Sequence, residues 1–184
     1  MIKLILDFLD GKLVNWPVNL LGLAEMHIKS AQETETIYPL IYKGRGKYDA
    51  VNTMNHIDGW IYHRTDQFSD VDVDRGAANT PRIERSIPFI TVALVSRNAA
   101  NDTVFSASEL AETLANQIGS DFFRAENVTS RSVVNDVIYN SKEVHALEFQ
   151  GIDFFVPSDM VMIRVNWTAK FMGDVTCFPS VDLC

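Results

Sequence analysis

The chain has very little cysteine: Cys177 and Cys184 are the only two, and both fall within the last eight of 184 residues. A disulfide framework needs several cysteines spread over a fold, so this pattern predicts a reducing compartment and two free thiols on a loose tail. Cations are also in deficit, with 16 Lys and Arg against 24 Asp and Glu and a formal net charge of −8. A surface of that sign repels nucleic acid and anionic lipid at long range, so neither sequence-specific nucleic acid nor a membrane is an expected partner. Long apolar runs are missing as well. The first apolar stretch, Ile2 to Leu9, is broken by Asp7 and followed by Asp10, and it lacks the length and cleavage site of a signal peptide. Nothing approaches the ~20 apolar residues of a membrane span. The expectation is a protein that stays where it is made, unless it leaves within a larger particle.

What is present is a globular composition, 47% hydrophobic and 22% charged, in a chain long enough to bury a core without staples. Repeats, low-complexity tracts and linkers are absent, which predicts a single domain over 1–184. The element pattern is that of an α+β protein. Ile2, Ile5, Leu6 and Leu9 recur at helical spacing with Gly11 as a stop. Leu23 to Lys29 alternates as a half-buried strand, and Ile37 to Tyr42 is β-rich, with Pro39 suggesting a sheet edge. Gly44 to Lys47 is a turn, and Gly59 to His63 a short strand. A polar, Asp-rich stretch over about 64–86 reads as one long loop, mobile or functional. Pro88 to Val95 reads as a central strand covered on both faces. Ser106 or Ser108 caps a helix through about Ile118, and Val133 to Tyr139 is another strand. Ser141 caps a short helix through about Phe149. Val161 to Phe171 alternates with period two, predicting a long antiparallel strand with one wet face. The tail over about 174–184 reads as loose. The predicted architecture is a mainly antiparallel sheet with two or three helices packed on one face.

Motifs for chemistry are scarce. Asp70, Asp72 and Asp74 alternate as the first ligands of a calcium loop would, but Arg75 and Pro81 occupy the positions that need Gly and Glu. A solvated acidic loop is the better reading. His56, Asp58 and His63 fit no ligand spacing, and an enzyme built on them would require the three to converge. Gly44-Arg45-Gly46-Lys47 lacks the Lys-Ser or Lys-Thr ending of a phosphate loop. It is a turn with a basic tip, either a plain hairpin or a contact for an acidic partner or a nucleic-acid backbone through Arg45 and Lys47. No Ser sits in a nucleophile elbow. Glu25, Glu33, Glu35, Glu109, Glu112, Glu126, Glu143 and Glu148 read as scattered over wet faces and loops, with no buried carboxylate pair. No catalytic residue, metal or cofactor is expected.

Aromatics are plentiful, with 11 Phe, five Tyr and three Trp. Trp16, Tyr38, Tyr42, Phe122 and Phe123 fall in or beside predicted loops and the proline-marked strand. They serve either as adhesive contacts for a partner or as plugs for the ends of the sheet. A cytosolic ligand-binding or adaptor module is one function such a surface would suit.

The closing unit runs Asp136-Val137-Ile138-Tyr139-Asn140-Ser141-Lys142-Glu143-Val144, a short helix, then Met162-Ile163-Arg164-Val165-Asn166-Trp167-Thr168. In element order it resembles the small neck and tail-completion proteins of tailed bacteriophages, over mainly residues 85–178. That resemblance implies a non-enzymatic virion protein, a compact α+β subunit that assembles with itself into a ring at the head–tail junction or tail end. Tail terminators and head–tail connectors are the most similar types. Its partners would be copies of itself and other phage neck or tail proteins, and its location the virion, with the host cytoplasm during assembly. The Asp-rich stretch and the Gly44–Lys47 turn would then dock on neighbouring subunits or rings. The family shares no catalytic residues, so none carries over.

Overall fold

A computed structural model of the protein describes residues 2–31, 34–51, 59–65, 71–74, 82–98, 104–119, 124–125, 128–152 and 156–174. Helix α1 (Ile2–Leu13) leads into β1 (Asn19–Ala31), β2 (Thr34–Tyr42), β3 (Tyr48–Ala50), β4 (Trp60–Arg64), β5 (Val71–Asp74) and β6 (Arg82–Ser96). Helix α2 (Ala107–Gly119) precedes β7 (Arg124–Ala125) and β8 (Val128–Ile138), and α3 (Ser141–Glu148) precedes β9 (Met160–Asp174). The sheet runs β3-β2-β1-β4-β6-β9-β8-β7, with β5 paired to the start of β6. Among the described strands every pairing is antiparallel except β1 with β4. The expected α+β class with a mainly antiparallel sheet is therefore the observed one.

The spine is β6 against β9, paired without a break from Arg82 opposite Asp174 to Ser96 opposite Met160. Period-two alternation sends Ile87, Phe89, Ala93 and Val95 of β6 to one face, with Val161, Ile163, Val165, Trp167, Ala169 and Phe171 of β9. Leu6, Leu9 and Leu13 of α1 and Ala111, Leu114 and Ile118 of α2 cover that face. Phe89 and Trp167, directly opposite across the strands, stack at 4.6 Å. The other face carries Trp60, Tyr62, Val92, Leu94, Met160 and Met162 under Val144 of α3 and Phe149. Two helices thus share one face, and the third lies on the reverse.

Several boundaries depart from the pattern in the sequence, each for a packing reason. Gly11 does not stop α1: the helix runs on to Leu13, whose side chain is fully buried, so burial outweighs the roughly 1 kcal/mol cost of a helical glycine. Pro39 does not mark an open edge along all of β2, because Leu40 to Tyr42 pair with β3. The stretch 64–86 is not one loop. Val71 to Asp74 forms β5 on Arg82 to Arg85, and β6 begins at Arg82, well ahead of the apolar run that opens at Pro88. The charged start of β6 carries no hydrophobic signal, but its backbone groups are satisfied by the ladder to β9. The expected wet face of β9 is wet only in part. Met160 and Met162 are buried, and Arg164, Asn166, Thr168 and Lys170 are half-buried, because α3 lies over the start of the strand.

Local chemistry sets the helix ends. Ser106 opens α2 with a capping box: the Glu109 N–H donates to Ser106 Oγ at 3.2 Å, and the Ser106 N–H donates to Glu109 Oε2 at 2.8 Å. Those bonds hold the Glu109 carboxyl below its usual range, the backbone N–H of Ser106 contributing most. Asn140, not Ser141, caps α3, accepting the Lys142 N–H at 3.1 Å. Ser141 Oγ instead accepts the Met162 N–H at 3.0 Å, tying the helix to β9. Gly59 is required where β4 begins, since φ is +79° and an added Cβ would stand 2.2 Å from the Leu94 carbonyl oxygen.

Candidate functional site

Among the described residues of the expected site, the basic turn is exposed. Lys47 N–H donates to Gly44 O at 3.1 Å, and Lys43 N–H to Lys47 O at 2.9 Å. Gly44, Arg45 and Gly46 all have positive φ, 85°, 52° and 71°, so the turn between Lys43 and Lys47 is left-handed, and glycine at two of its three positions takes that conformation without strain. Lys43, Arg45 and Lys47 are all exposed. Beside the turn, the Tyr48 hydroxyl donates to Glu25 Oε2 at 2.8 Å. That bond pushes the Tyr48 phenol up from its ordinary value, with burial and the Glu25 charge adding to it. His27 meets Tyr48 edge-on at 5.0 Å, and Tyr42 lies 5.4 Å from Tyr48. Tyr42, Tyr48, His27 and Glu25 therefore come together on one surface, at the base of the turn that carries Arg45 and Lys47. Tyr38 sits opposite His27 in the β1–β2 register and is half-buried against the second core.

The other expected contacts are placed elsewhere. Trp16 is half-buried against the first core, its Nε1–H donating to Gln117 Oε1 on α2, so it serves packing. Asp72 and Asp74 lie on β5 opposite Glu84 and Arg82, in an extended strand and not in a coordinating loop. Asp70, Phe122, Phe123, His56, Asp58, Cys177 and Cys184 fall outside the described residues. Among the described residues no three His, Cys, Asp or Glu groups gather to hold a metal ion, and no helix is long and apolar enough to cross a membrane.

Two buried polar clusters lie apart from the expected contacts. Glu148, expected on a wet face, is fully buried. Its carboxylate accepts from Arg64 Nε and Nη2, both at 3.1 Å, and from the Tyr62 hydroxyl at 2.9 Å. Arg164 Nε lies 3.1 Å from Oε1. Its N–H makes no hydrogen bond among the described residues, so the contact is a charge pair without the directional bond. Burial, then the Glu148 charge, drives the Tyr62 phenol well above its ordinary range against the opposing pull of the two arginines. The cluster pins the end of α3 to β4 and β9.

His63 belongs to the second cluster. Its Nδ1 is 2.9 Å from Thr91 Oγ1, which also accepts from Trp167 Nε1–H at 2.9 Å, and its Nε2 is 3.4 Å from Asp10 Oδ1. The indole only donates, and the neutral Nε2–H tautomer of His63 gives one assignment that satisfies every atom. Trp167 donates to Thr91, the Thr91 hydroxyl donates to His63 Nδ1, and His63 Nε2–H donates to Asp10. With Thr91 and His63 both fully buried, this run of hydrogen bonds ties α1 to the sheet. Apolar neighbours on alternate positions hid both clusters. The one available signal was an arginine ending β4 and another inside β9.

No protein-family model matches the chain, and a search of curated proteins returns no match.

Proposed function

We propose that this chain is a non-enzymatic structural subunit of a tailed-bacteriophage virion. In this reading it assembles with itself into a ring at the head–tail junction or tail end, as a tail terminator or head–tail connector does. Its partners are then copies of itself and neighbouring neck or tail proteins, in the virion and, during assembly, in the host cytoplasm. The observation that carries the reading is the exposed basic turn, Lys43, Arg45 and Lys47, flanked by Tyr42 and Tyr48, on a chain of net charge −8. An exposed cationic turn on an acidic molecule is complementary to the remaining surface of a second copy. Contacts between two different patches of the same chain are heterologous, and they close into a ring when the rotation allows. The β6–β9 spine supplies the rigid body that such a ring requires.

Mass photometry of the full chain at micromolar concentration should show one closed oligomer, and R45E/K47E should shift it towards smaller species. A strict monomer that also fails to bind purified tails or necks overturns the reading.

A further inference from the structure

The β1–β2 ribbon offers a second contact of a different symmetry. β1 pairs with β4 only through Leu23, while its pairing with β2 continues to Ala31. Among the described residues no strand pairs with the other edge of positions 24–30. Which backbone groups line that edge follows from the register. The Ile37 N–H donates to Gln150 O, away from β1, so Ile28, directly opposite Ile37, also directs its backbone groups away from β2. By alternation, Ala24, Met26, Ile28 and Ser30 present N–H and C=O to the open edge, and Glu25, His27 and Lys29 bond to β2. Side chains divide the same way: Ala24, Met26 and Ile28 share one face with Ile37, Pro39 and Ile41, and Glu25, His27 and Lys29 share the other. That apolar face is buried at its base, where Ala24 and Ile41 are each 2% exposed, and open further out, where Ile28 is 64% exposed.

We infer that this edge pairs antiparallel with the same edge of a second copy, about a two-fold axis through His27. Only registers centred on a residue, and not between two, match hydrogen-bonding positions to hydrogen-bonding positions. Centring on His27 sets Met26 opposite Ile28 of the second copy, as a hydrogen-bonded pair. It also sets Glu25 opposite Lys29, as a non-hydrogen-bonded pair in which side chains approach most closely. The two-fold repeats both contacts, giving two opposite-charge pairs and one merged apolar patch over the exposed Ile28 side chains. Registers centred on Met26 or Ile28 set Glu25 opposite His27 or Ala31 and lose the charge pairs. Glu25 keeps acceptor capacity beyond its bond from Tyr48. Two-stranded ribbons are marginal alone, and pairing converts two of them into four strands. The contact is isologous, so it joins two subunits, or two rings face to face, and does not depend on the ring reading.

The test is a charge swap in the full-length R45E/K47E chain, where the ring contact is removed, read as the dimer dissociation constant by analytical ultracentrifugation. E25K and K29E should each weaken the two-fold dimer about tenfold, and E25K/K29E should restore it, because the swapped charges again face each other. Cross-linking gives the register directly. In a C177S/C184S background, H27C should form an intermolecular disulfide on mild oxidation, its Cβ about 5 Å from its twin. E25C, displaced roughly 14 Å from its twin, should not. Failure of the double swap to restore the dimer, or equal cross-linking by H27C and E25C, overturns the proposal. R45E/K47E should leave the H27C disulfide intact, so loss of the ring and loss of the ribbon contact are read separately.

Discussion

Replacing Glu148 by glutamine removes one charge and almost no volume from the buried cluster. The carboxylate is fully buried, and the side chains of Arg64 and Arg164 are 9% and 14% exposed. Glutamine keeps a single carbonyl oxygen. If it stands in for Oε2, it still accepts from Tyr62 and Arg64 Nε, and an NH2 group then faces Arg64 Nη2 and Arg164. In the opposite orientation the Tyr62 hydroxyl and Arg64 Nε lose their acceptor. Either way two guanidinium groups remain out of bulk water without the anion between them, which costs about 3–5 kcal/mol. That is a large part of the roughly 5–15 kcal/mol that holds a domain folded. Y62F removes only one hydrogen bond to the same carboxylate and should cost less, about 1.5–3 kcal/mol. Replacing the whole set with apolar residues of similar size, Y62F/R64M/E148L/R164M, should recover most of the E148Q loss. Urea unfolding followed by tryptophan fluorescence measures all three, since Trp60 and Trp167 are buried. An E148Q loss below about 1 kcal/mol, the scale of an exposed ion pair, refutes the assignment of Glu148 as the anchor of α3.

Four other outcomes are expected. R45N should stabilise the protein by about 0.5–1 kcal/mol in the same unfolding assay, because asparagine adopts the positive φ of the turn more readily than arginine. T91V leaves the Trp167 indole N–H and His63 Nδ1 buried without a partner and should cost about 2–3 kcal/mol. S106A should cost about 1 kcal/mol by circular dichroism melting. The wild-type advantage should be present above the usual glutamate pKa and fade as pH falls through the depressed value of Glu109. Tyr62 is raised in the folded state, so the stability tied to its protonated form is complete below the ordinary tyrosine pKa and is lost as pH climbs above it. Y62F should flatten that alkaline limb of the stability–pH curve.

Local patterning in the chain determined the parts whose signal is carried by neighbouring residues. The apolar run of β6, the alternation of β9, the Leu110–Leu114–Ile118 face of α2 with its Ser106 cap and the glycine-flanked turn at Arg45 were all legible, because periodicity and turn chemistry are short-range. Tertiary structure decided the rest. β5 and the charged start of β6 are strands only because a partner strand satisfies their backbone, and α1 passes Gly11 only because Leu13 has a core to enter. Glu148 resembles any glutamate on a helix until Arg64 and Arg164 arrive from strands far away in sequence. Whether an edge is open is likewise a property of the sheet: the Glu25 and Lys29 spacing is visible in the chain, but the open edge beside them exists only once the pairing with β4 has ended and β2 has taken the other side.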